Sequence, residues 1–392
     1  MAKYSTFVQH QDQIKPLIHA GIDHLILEDS KIAIRSFSDD FTTPGFDKFL
    51  QLEKTARHLN PHIEISINCD LMAHDRHFPL LDQLVKTLSS TPIRNIRLQD
   101  PGLLYYFKSH LPDIKCHLNL ETGNHNTKGL LSYAQHYHSQ TLSNDVPYSE
   151  LQHIRNTCSF PLEIQIFGPL LIQYSNRRFL DGTDTITTNA SHNRYIKRAQ
   201  DQDFPGRHFK FYDNPHGHFM FAYFDRCLLK ALKDLHSLNI DYWLIDGRGE
   251  SLDYTLNALH AFQSKTPPIF KTFQTLFPRP LKLGFFRANH TDQVQLSNPH
   301  MRKDHLEWTG TVVDLIKSKA ITIECHHPIK KGDELIVVSP RHNDHHLTIT
   351  RLQTLNQTPL DQSNDHPYIQ IPWYKGARNG ARLFKKSSEF LD

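Results

Sequence analysis

The chain is poor in cysteine. Five cysteines stand in 392 residues, at Cys69, Cys116, Cys158, Cys227 and Cys325, and no two form a C-x-x-C pair. An odd, scattered set excludes a disulfide framework and a local zinc or cluster loop, and it fits a reducing compartment. No apolar run approaches the ~18 residues of a membrane span. The opening MAKYSTFVQHQDQIKP lacks the apolar centre of a secretory leader. The expected location is therefore the cytoplasm, with no membrane contact. An excess of one charge is missing too: 44 Lys and Arg against 41 Asp and Glu leave +3, too mild to imply a nucleic-acid partner by itself. No G-x-G-x-x-G follows the first strand candidate, which weakens a dinucleotide-binding sheet. No H-E-x-x-H or nucleophile-elbow sequence supports hydrolytic chemistry.

What is present is an alternation of β-leaning apolar runs with helix-like stretches. Strands are expected at Ile22–Leu27, Ile63–Asn68, Ile93–Leu98, Ile114–Leu120, Gln140–Ser143, Leu162–Phe167 and Ile240–Ile245. Helices are expected between them, at Gln13–Ala20, Thr43–Leu59, Phe78–Leu88, Gly102–His110, Thr127–His138, Ser149–Asn156, Arg226–Leu238 and Leu252–Phe262. Alternating strands and helices imply parallel βα units, here a (β/α)8-like TIM-type barrel over residues 1–270, interrupted by a polar insertion at 181–220. An open doubly wound sheet is the alternative.

Several of these strands end in polar residues: Glu28 and Asp29, Asn68, Gln99 and Asp100, Glu121 and Thr122, Asn144 and Asp145, and Asp246–Gly247–Arg248. In a barrel such positions line the face where ligands bind, although each singly also suits a helix cap. Histidine is abundant, at 28 residues. The pairs His216/His218 and His326/His327 have no evident third ligand, so no metal site is expected.

Residues 271–280 carry the character of a linker, and short strands with turns follow: Trp308–Asp314, Ala320–Cys325, Glu334–Ser339, His346–Leu352 and Tyr368–Ile371. They predict a small β-barrel at 281–386, before a tail at 387–392. Its last stretch interleaves Trp373, Tyr374 and Phe384 with Lys375, Arg378, Arg382, Lys385 and Lys386. That mix suits RNA through stacking and phosphate contacts, or a final strand with a solvated basic face.

The stretch EIQIFGPLLIQYSNRRFLDG from Glu163, with FDRCLLKALKDLHSLNIDYWLIDGRGESLDY downstream, resembles the collagenase-like peptidase family U-32. Members typically show E-x-F-x-x-G-x-x-C-x-x-Y-S-G-R-C-x-L-S, a D-L-C helix start and a K-I-E-G-R-x-K-S-x-x-Y segment. The likeness runs through HAGIDHLIL, IRSF and IRLQDPGLLYYFKSHLPDIKCHLNLETGNHN to EWTGTVVDLI and HPIKKGDELIVVSP, and so covers nearly the whole chain. Gly168, Tyr174, Ser175, Arg177, Gly247, Arg248 and Tyr254 match. Of four cysteines thought to hold an iron–sulfur cluster, the first falls on Leu171 and the second on Arg178. The third falls in Asn189–Gln200, which has no cysteine although His192 is there, and only Cys227 remains.

The resemblance implies a divergent, cluster-less member with no metal of its own, since one cysteine cannot satisfy a cluster. Better-understood relatives resemble oxygen-independent hydroxylation systems for tRNA, rRNA or a ubiquinone precursor, some paired with a paralogous subunit and some using prephenate. The expected role is a binding or scaffolding subunit beside a cluster-bearing paralogue. A peptidase and a cluster-independent enzyme using a prephenate-like anion are the alternatives. Arginines suit such an anion because guanidinium grips carboxylate bidentately. The ligand-binding candidates are Arg35, Asn68, Asp100, Gly168, Arg177 and Arg248, with Arg97 also considered. The catalytic candidates are Asp246, Arg248 and Tyr174.

Overall fold

The computed structural model describes residues 2–38, 40–120, 123–180, 195–200, 207–287, 306–338 and 344–386. It divides into two compact units, Met1–Gln293 and Val294–Asp392.

In the first unit, strands β1 (Lys3–Val8), β2 (His24–Glu28), β3 (Glu64–Asn68), β4 (Asn95–Leu98), β5 (Lys115–Leu118), β6 (Ser139–Thr141) and β7 (Leu162–Ser175) pair in order, each parallel to the last. The helices α1 (Ile14–His19), α2 (Asp47–Leu59), α3 (Phe78–Ser89), α4 (Pro101–His110), α5 (Thr127–Ala134) and α6 (Tyr148–Thr157) connect them. Past its barrel half, β7 runs on into an antiparallel extension with β8 (Tyr195–Gln200), β9 (His208–Asn214) and β10 (Gly217–Cys227). After α7 (Leu232–Ser237), strand β11 (Tyr242–Ile245) pairs with both β7 and β1 and closes the barrel; α8 (Leu252–Gln263) follows. The fold is therefore the expected TIM-type barrel, closed by eight parallel strands.

Two expectations at its edges differ. The first barrel strand is Lys3–Val8, not Ile22–Leu27. Residues 271–280, read as a linker, carry most of α9 (Phe270–Gln274), and β12 (Leu281–Lys282), in the stretch read as the start of the β-barrel, pairs with β10; Phe273, Phe277 and Phe286 are buried in the barrel unit's core. Their apolar side chains hold this stretch on the barrel. Arg226 and Cys227, read as a helix start, end β10 instead.

Between strands and helices lies the large apolar core, including Phe49, Leu84, Phe107, Leu151 and Leu259. Inside the barrel the chemistry is different. Side chains alternate across a strand, so one residue in two faces inward. The inward apolar cluster comprises Phe7, Ile26 and Leu244. Around it sit Ser5, His24, Ser66, Arg97, His117, Thr141 and Glu163, all buried. Arg97 on β4 makes a bidentate pair with Glu163 on β7, at 2.7 and 3.1 Å, and Arg97 Nη2 also donates to Asn119 Oδ1 at 3.2 Å. Ser5 and Thr141 hydroxyls donate to the Glu163 carboxylate at 3.2 and 2.9 Å. Burial alone would raise the Glu163 pKa, but the charges of Arg97 and His117 outweigh it and bring it down to about 2. Burial lowers His24 to about 4 and, with the Arg97 charge beside it, holds His117 well below its ordinary 6.5.

The second unit is a curled antiparallel sheet ordered β16–β15–β20–β13–β14–β19–β17–β18. Its strands are β13 (Leu306–Ile316), β14 (Ala320–Cys325), β15 (Glu334–Val338), β16 (Asp344–Thr348), β17 (Leu352–Gln353), β18 (Pro359–Leu360), β19 (Tyr368–Pro372) and β20 (Arg382–Lys386). Their inward residues, among them Ile321, Ile323, Leu335, Val337, Ile369 and Leu383, form a separate core.

Two outcomes test the barrel's polar interior. Glu163→Gln leaves the Arg97 guanidinium buried without its counter-charge and should lower unfolding free energy by about 3–5 kcal/mol in urea titrations; Arg97→Met with Glu163→Leu should recover much of that loss. For pH, His24 and Glu163 both have depressed pKa values, so the unfolded chain binds protons that the folded chain refuses. His24 removes stability first, as pH falls from 6.5 towards about 4, by about 3 kcal/mol in full. Glu163 follows as pH falls from 4.5 towards about 2. The thermal midpoint should decline progressively below pH 6.5, and His24→Gln should flatten the first part of that decline.

Candidate functional site at the barrel mouth

The strand C-termini bring together the buried carboxyls of Glu28, Asp70 and Asp246 and the guanidinium groups of Arg35 and Arg248. Asp246, just beyond β11, is held by its backbone amide to the Phe167 carbonyl at 2.9 Å. Its carboxylate pairs with Arg35 and with Arg248, the latter at 2.7 and 3.0 Å. Arg248 Nη1 reaches Glu28 Oε1 at 3.2 Å, and its guanidinium lies 3.6 Å from the centre of the Phe7 ring. Asn68 donates from Nδ2 to Glu28 at 2.9 Å and to Asp70 at 3.2 Å. Burial pushes the Glu28 carboxyl above its ordinary pKa, and its second oxygen and Asn68 Oδ1 have no hydrogen-bond partner. Its two guanidinium groups are engaged by its carboxyls, so the cluster's first task is to hold the loops around it.

The sheet extension holds those loops from the other side. Tyr212 donates to the Ser36 carbonyl at 2.6 Å, Asn214 to the Ile34 carbonyl at 2.9 Å, and the Phe37 ring stacks on Tyr212 at 4.4 Å. Asp70 Oδ1 accepts from the Ile34 amide at 2.8 Å. Gly168 marks the point where β7 leaves the barrel. Its φ is +124°, and a Cβ there would stand 2.2 Å from the Asp246 carbonyl oxygen, so the residue must be glycine for the backbones to approach. Its place is thus backbone geometry, ahead of any ligand contact.

A cleft of about 590 Å³ opens beside this cluster, between the loops after β2 and β3 and the turn from β9 to β10. Lys31 and Arg76 give its wall positive charge, with His74, His77 and His216 beside them, and Phe41 and Tyr174 give it aromatic surface. Tyr174 stacks on Phe219 at 5.0 Å, with its hydroxyl 3.0 Å from the His216 carbonyl. Burial lowers the pKa of His216, and burial with the charge of Arg76 lowers that of His77. Both are neutral near pH 7 and able to accept or donate a hydrogen bond there.

The expected site residues therefore separate. Arg35, Asn68, Asp246 and Arg248 meet in the sealed cluster, while Tyr174 lines the cleft. Arg97 lies deeper, inside the barrel. Asp100 caps α4, accepting from the Gly102 amide at 2.7 Å. Arg177 is exposed beyond the end of β7. His192 and Glu121–Thr122 lie outside the described residues, as do 181–194 and 201–206 of the expected insertion. His218 pairs with Asp213, and His326 packs on Trp308 at 4.1 Å. The basic C-terminal residues Arg382 and Lys385 stand in β20, an interior strand of its sheet, where Lys385 reaches Asp333 at 2.6 Å. Lys386 ends that strand. Trp373 is half-buried against the sheet's core, with Lys375 exposed and Arg378 half-buried in the loop that follows. The sequence reading missed Lys31, Phe41, His74, Arg76 and His77. Its available signal was His74–Asp75–Arg76–His77, a basic cluster just past a strand end.

One constellation looks hydrolytic. His117 Nδ1 meets Ser139 Oγ at 2.6 Å, and its Nε2 lies 3.7 Å from Glu163. It sits at the barrel's opposite end, on a void of about 10 Å³, room for a single water and not for a peptide.

A closed parallel barrel with its mouth crossed by a β extension, followed by a curled antiparallel sheet unit, defines the class. The family model described as peptidase family U32 matches residues 9–282. The chain belongs to that family. It is similar to tRNA hydroxylation protein P1 of Bacillus subtilis (strain 168), at 20% identity over 385 residues, spanning 93% of this chain and 89% of that protein. It is also similar to tRNA hydroxylation protein P of Escherichia coli (strain K12), at 19% identity over 303 residues, spanning 63% of this chain and 67% of that protein. Among solved structures, the C-terminal domain described as that of a U32 peptidase from Geobacillus thermoleovorans matches at 16% identity with a TM-score of 0.19, over 21% of this chain and 93% of that domain. Among the described residues, no helix is long and apolar enough to cross a membrane.

The charge cluster predicts a local outcome. Asp246→Asn should take the shared carboxylate from two buried guanidinium groups, with Arg248 keeping Glu28, destabilise the unit by about 3 kcal/mol, and speed hydrogen exchange at the Ile34 and Ser36 amides. An Asp100→Asn control, altering a half-buried cap, should cost no more than about 1 kcal/mol.

Proposed function

We propose that this chain acts in tRNA modification, as a tRNA-binding component of a hydroxylation system, without an iron–sulfur cluster of its own. The observation that carries the reading is the cleft, with Lys31, His74, Arg76, His77 and His216 beside Phe41 and Tyr174. Cationic side chains suit phosphates and aromatic rings suit unstacked bases, the pairing by which single-stranded RNA is held. Two relatives named as tRNA hydroxylation proteins support the class of substrate.

The donor set does not fit a cluster. Leucine at 171 offers iron no ligating atom, and the guanidinium of Arg178 is a hydrogen-bond donor with no acceptor atom to give a metal. Cys227 is buried, and burial pushes its thiol up to about 12, away from the thiolate that binds metal. Among the described residues no group of three or more His, Cys, Asp or Glu is arranged to hold a metal ion. The chain's part is then to hold and orient RNA. Oxidative chemistry would come from a cluster-bearing paralogous subunit, or a prephenate-like anion would serve as the hydroxyl source.

The test is tRNA binding by purified protein across a salt series. Binding should weaken as salt rises, and Lys31→Ala with Arg76→Ala should lower the slope of log affinity against log salt by about 1 per lost contact. Unchanged affinity and slope in a folded double variant would sink the cleft as the RNA site. Anaerobic purification followed by iron and sulfide assay should find neither in stoichiometric amount.

A further inference from the structure

At the opposite end of the barrel unit, a second and larger groove of about 1010 Å³ runs over the outer faces of β1 and β11. It lies between the turn into α7 and the end of α8. It opens there because α7, the helix leading into β11, is only six residues long and leaves part of β11 without an outer layer. The floor is apolar: Tyr4, Leu229, Trp243 and Phe262 are all at least nine-tenths buried. Trp243 is packed by Tyr4 at 5.7 Å and by His236 at 4.9 Å, and its indole N–H has no acceptor. The rim carries Lys3, Lys230, Lys233, Lys265 and Arg287 against Asp23 and Asp234. Both acids are engaged, Asp23 by the Tyr4 amide at 2.8 Å and Asp234 by Arg287 at 2.5 Å.

We propose that this groove docks an acidic, amphipathic peptide segment of a partner protein. The positive rim is complementary to carboxylates, and the floor to apolar side chains. RNA fits less well. Base stacking needs whole ring faces open to solvent, whereas Tyr4, Trp243 and Phe262 leave only a narrow apolar strip on the groove floor. The groove's size and open form suit a peptide in extended or single-turn form more than an enclosed metabolite. The inference stands apart from the tRNA cleft, since none of these residues lines it.

The experiment uses the full chain and a fluorescein-labelled peptide of about twelve residues, the length of a groove-bound motif, alternating glutamate with leucine and phenylalanine. Fluorescence polarisation should show saturable binding that weakens at least tenfold in high salt. Lys233→Glu with Lys265→Glu, both exposed and so compatible with folding, should weaken it at least tenfold. A lysine-for-glutamate version of the peptide should not bind. No saturable binding, or binding indifferent to the lysine reversals, would overturn the proposal. So would an RNA oligonucleotide binding more tightly than the peptide and losing affinity with the same reversals.

Discussion

The bidentate pair between Arg97 and Glu163 is the constraint on which the barrel is built. TIM-type barrels ordinarily fill their interior with layers of Val, Ile and Leu. Here a buried guanidinium and carboxylate occupy the centre, and Ser5, Asn119 and Thr141 add hydrogen bonds to them. A buried ion pair is weak as a source of stability but strict in geometry, because every unmatched donor or acceptor is costly in a low-dielectric interior. The pair ties β4 to β7 across the barrel. A one-residue slip of either strand would turn these charges outward into the apolar layer beneath the helices. Register is thereby specified by polarity where other barrels specify it by shape.

The mouth follows from that register. With Arg97 and Glu163 facing inward, the same alternation places Glu28, Asn68 and Asn119 inward one layer higher, and Asp246 and Arg248 just past β11. Those groups bond mainly to one another, and the β9–β10 hairpin holds residues 30–37 over them through Tyr212, Asn214 and His216. The cluster is consumed in positioning. The cleft with Lys31, Arg76 and Tyr174 then lies outside it, on the loops that the cluster holds, as binding residues often lie on loops fixed by a rigid scaffold.

Much of this was legible in the chain, and the gaps have physical causes. The parallel strands read clearly because both faces are buried; HLILE at β2 is covered throughout. Lys3–Val8 escaped because KYSTFV alternates polar with apolar residues and places Ser5 and Thr6 in a buried polar setting. The hairpin at 208–227 read as polar sequence, yet HFKFYDNPHGHFMFAYF alternates aromatic with polar residues on either side of a Pro-His-Gly turn, a β signal hidden by its histidines. Strand β20 was legible as a final strand with a basic face, and Leu383 and Phe384 are buried within it. Arg97 was placed at the mouth because sequence shows which residues are polar but not how deep each sits. The period-two run Asn95, Arg97, Gln99 against Ile96 and Leu98 was the clue to its inward face. The choice of partner, Glu163, depends on closing the barrel across 66 residues, which no local pattern reveals.

The stretch from Glu163 to Asp181 separates what its backbone requires from what its side chains do. Gly168 is required by the approach of β7 to the Asp246 carbonyl, whatever chemistry the loop performs. Tyr174 stacks on Phe219 and shapes the cleft. Leu171, at a position where the family resemblance expects a cluster cysteine, pairs in register with Phe221 and packs against the cluster of Tyr212, Phe219 and Phe221. That cluster also receives Ile34 and Phe37 from the loop over the mouth. A leucine at 171 therefore contributes packing that helps hold the loop beside the cleft, which a metal-ligating side chain would have to give up. The site's geometry can thus persist without metal, and substituting cysteine at 171 alone would remove apolar contact from the sheet without supplying the other ligands a cluster needs.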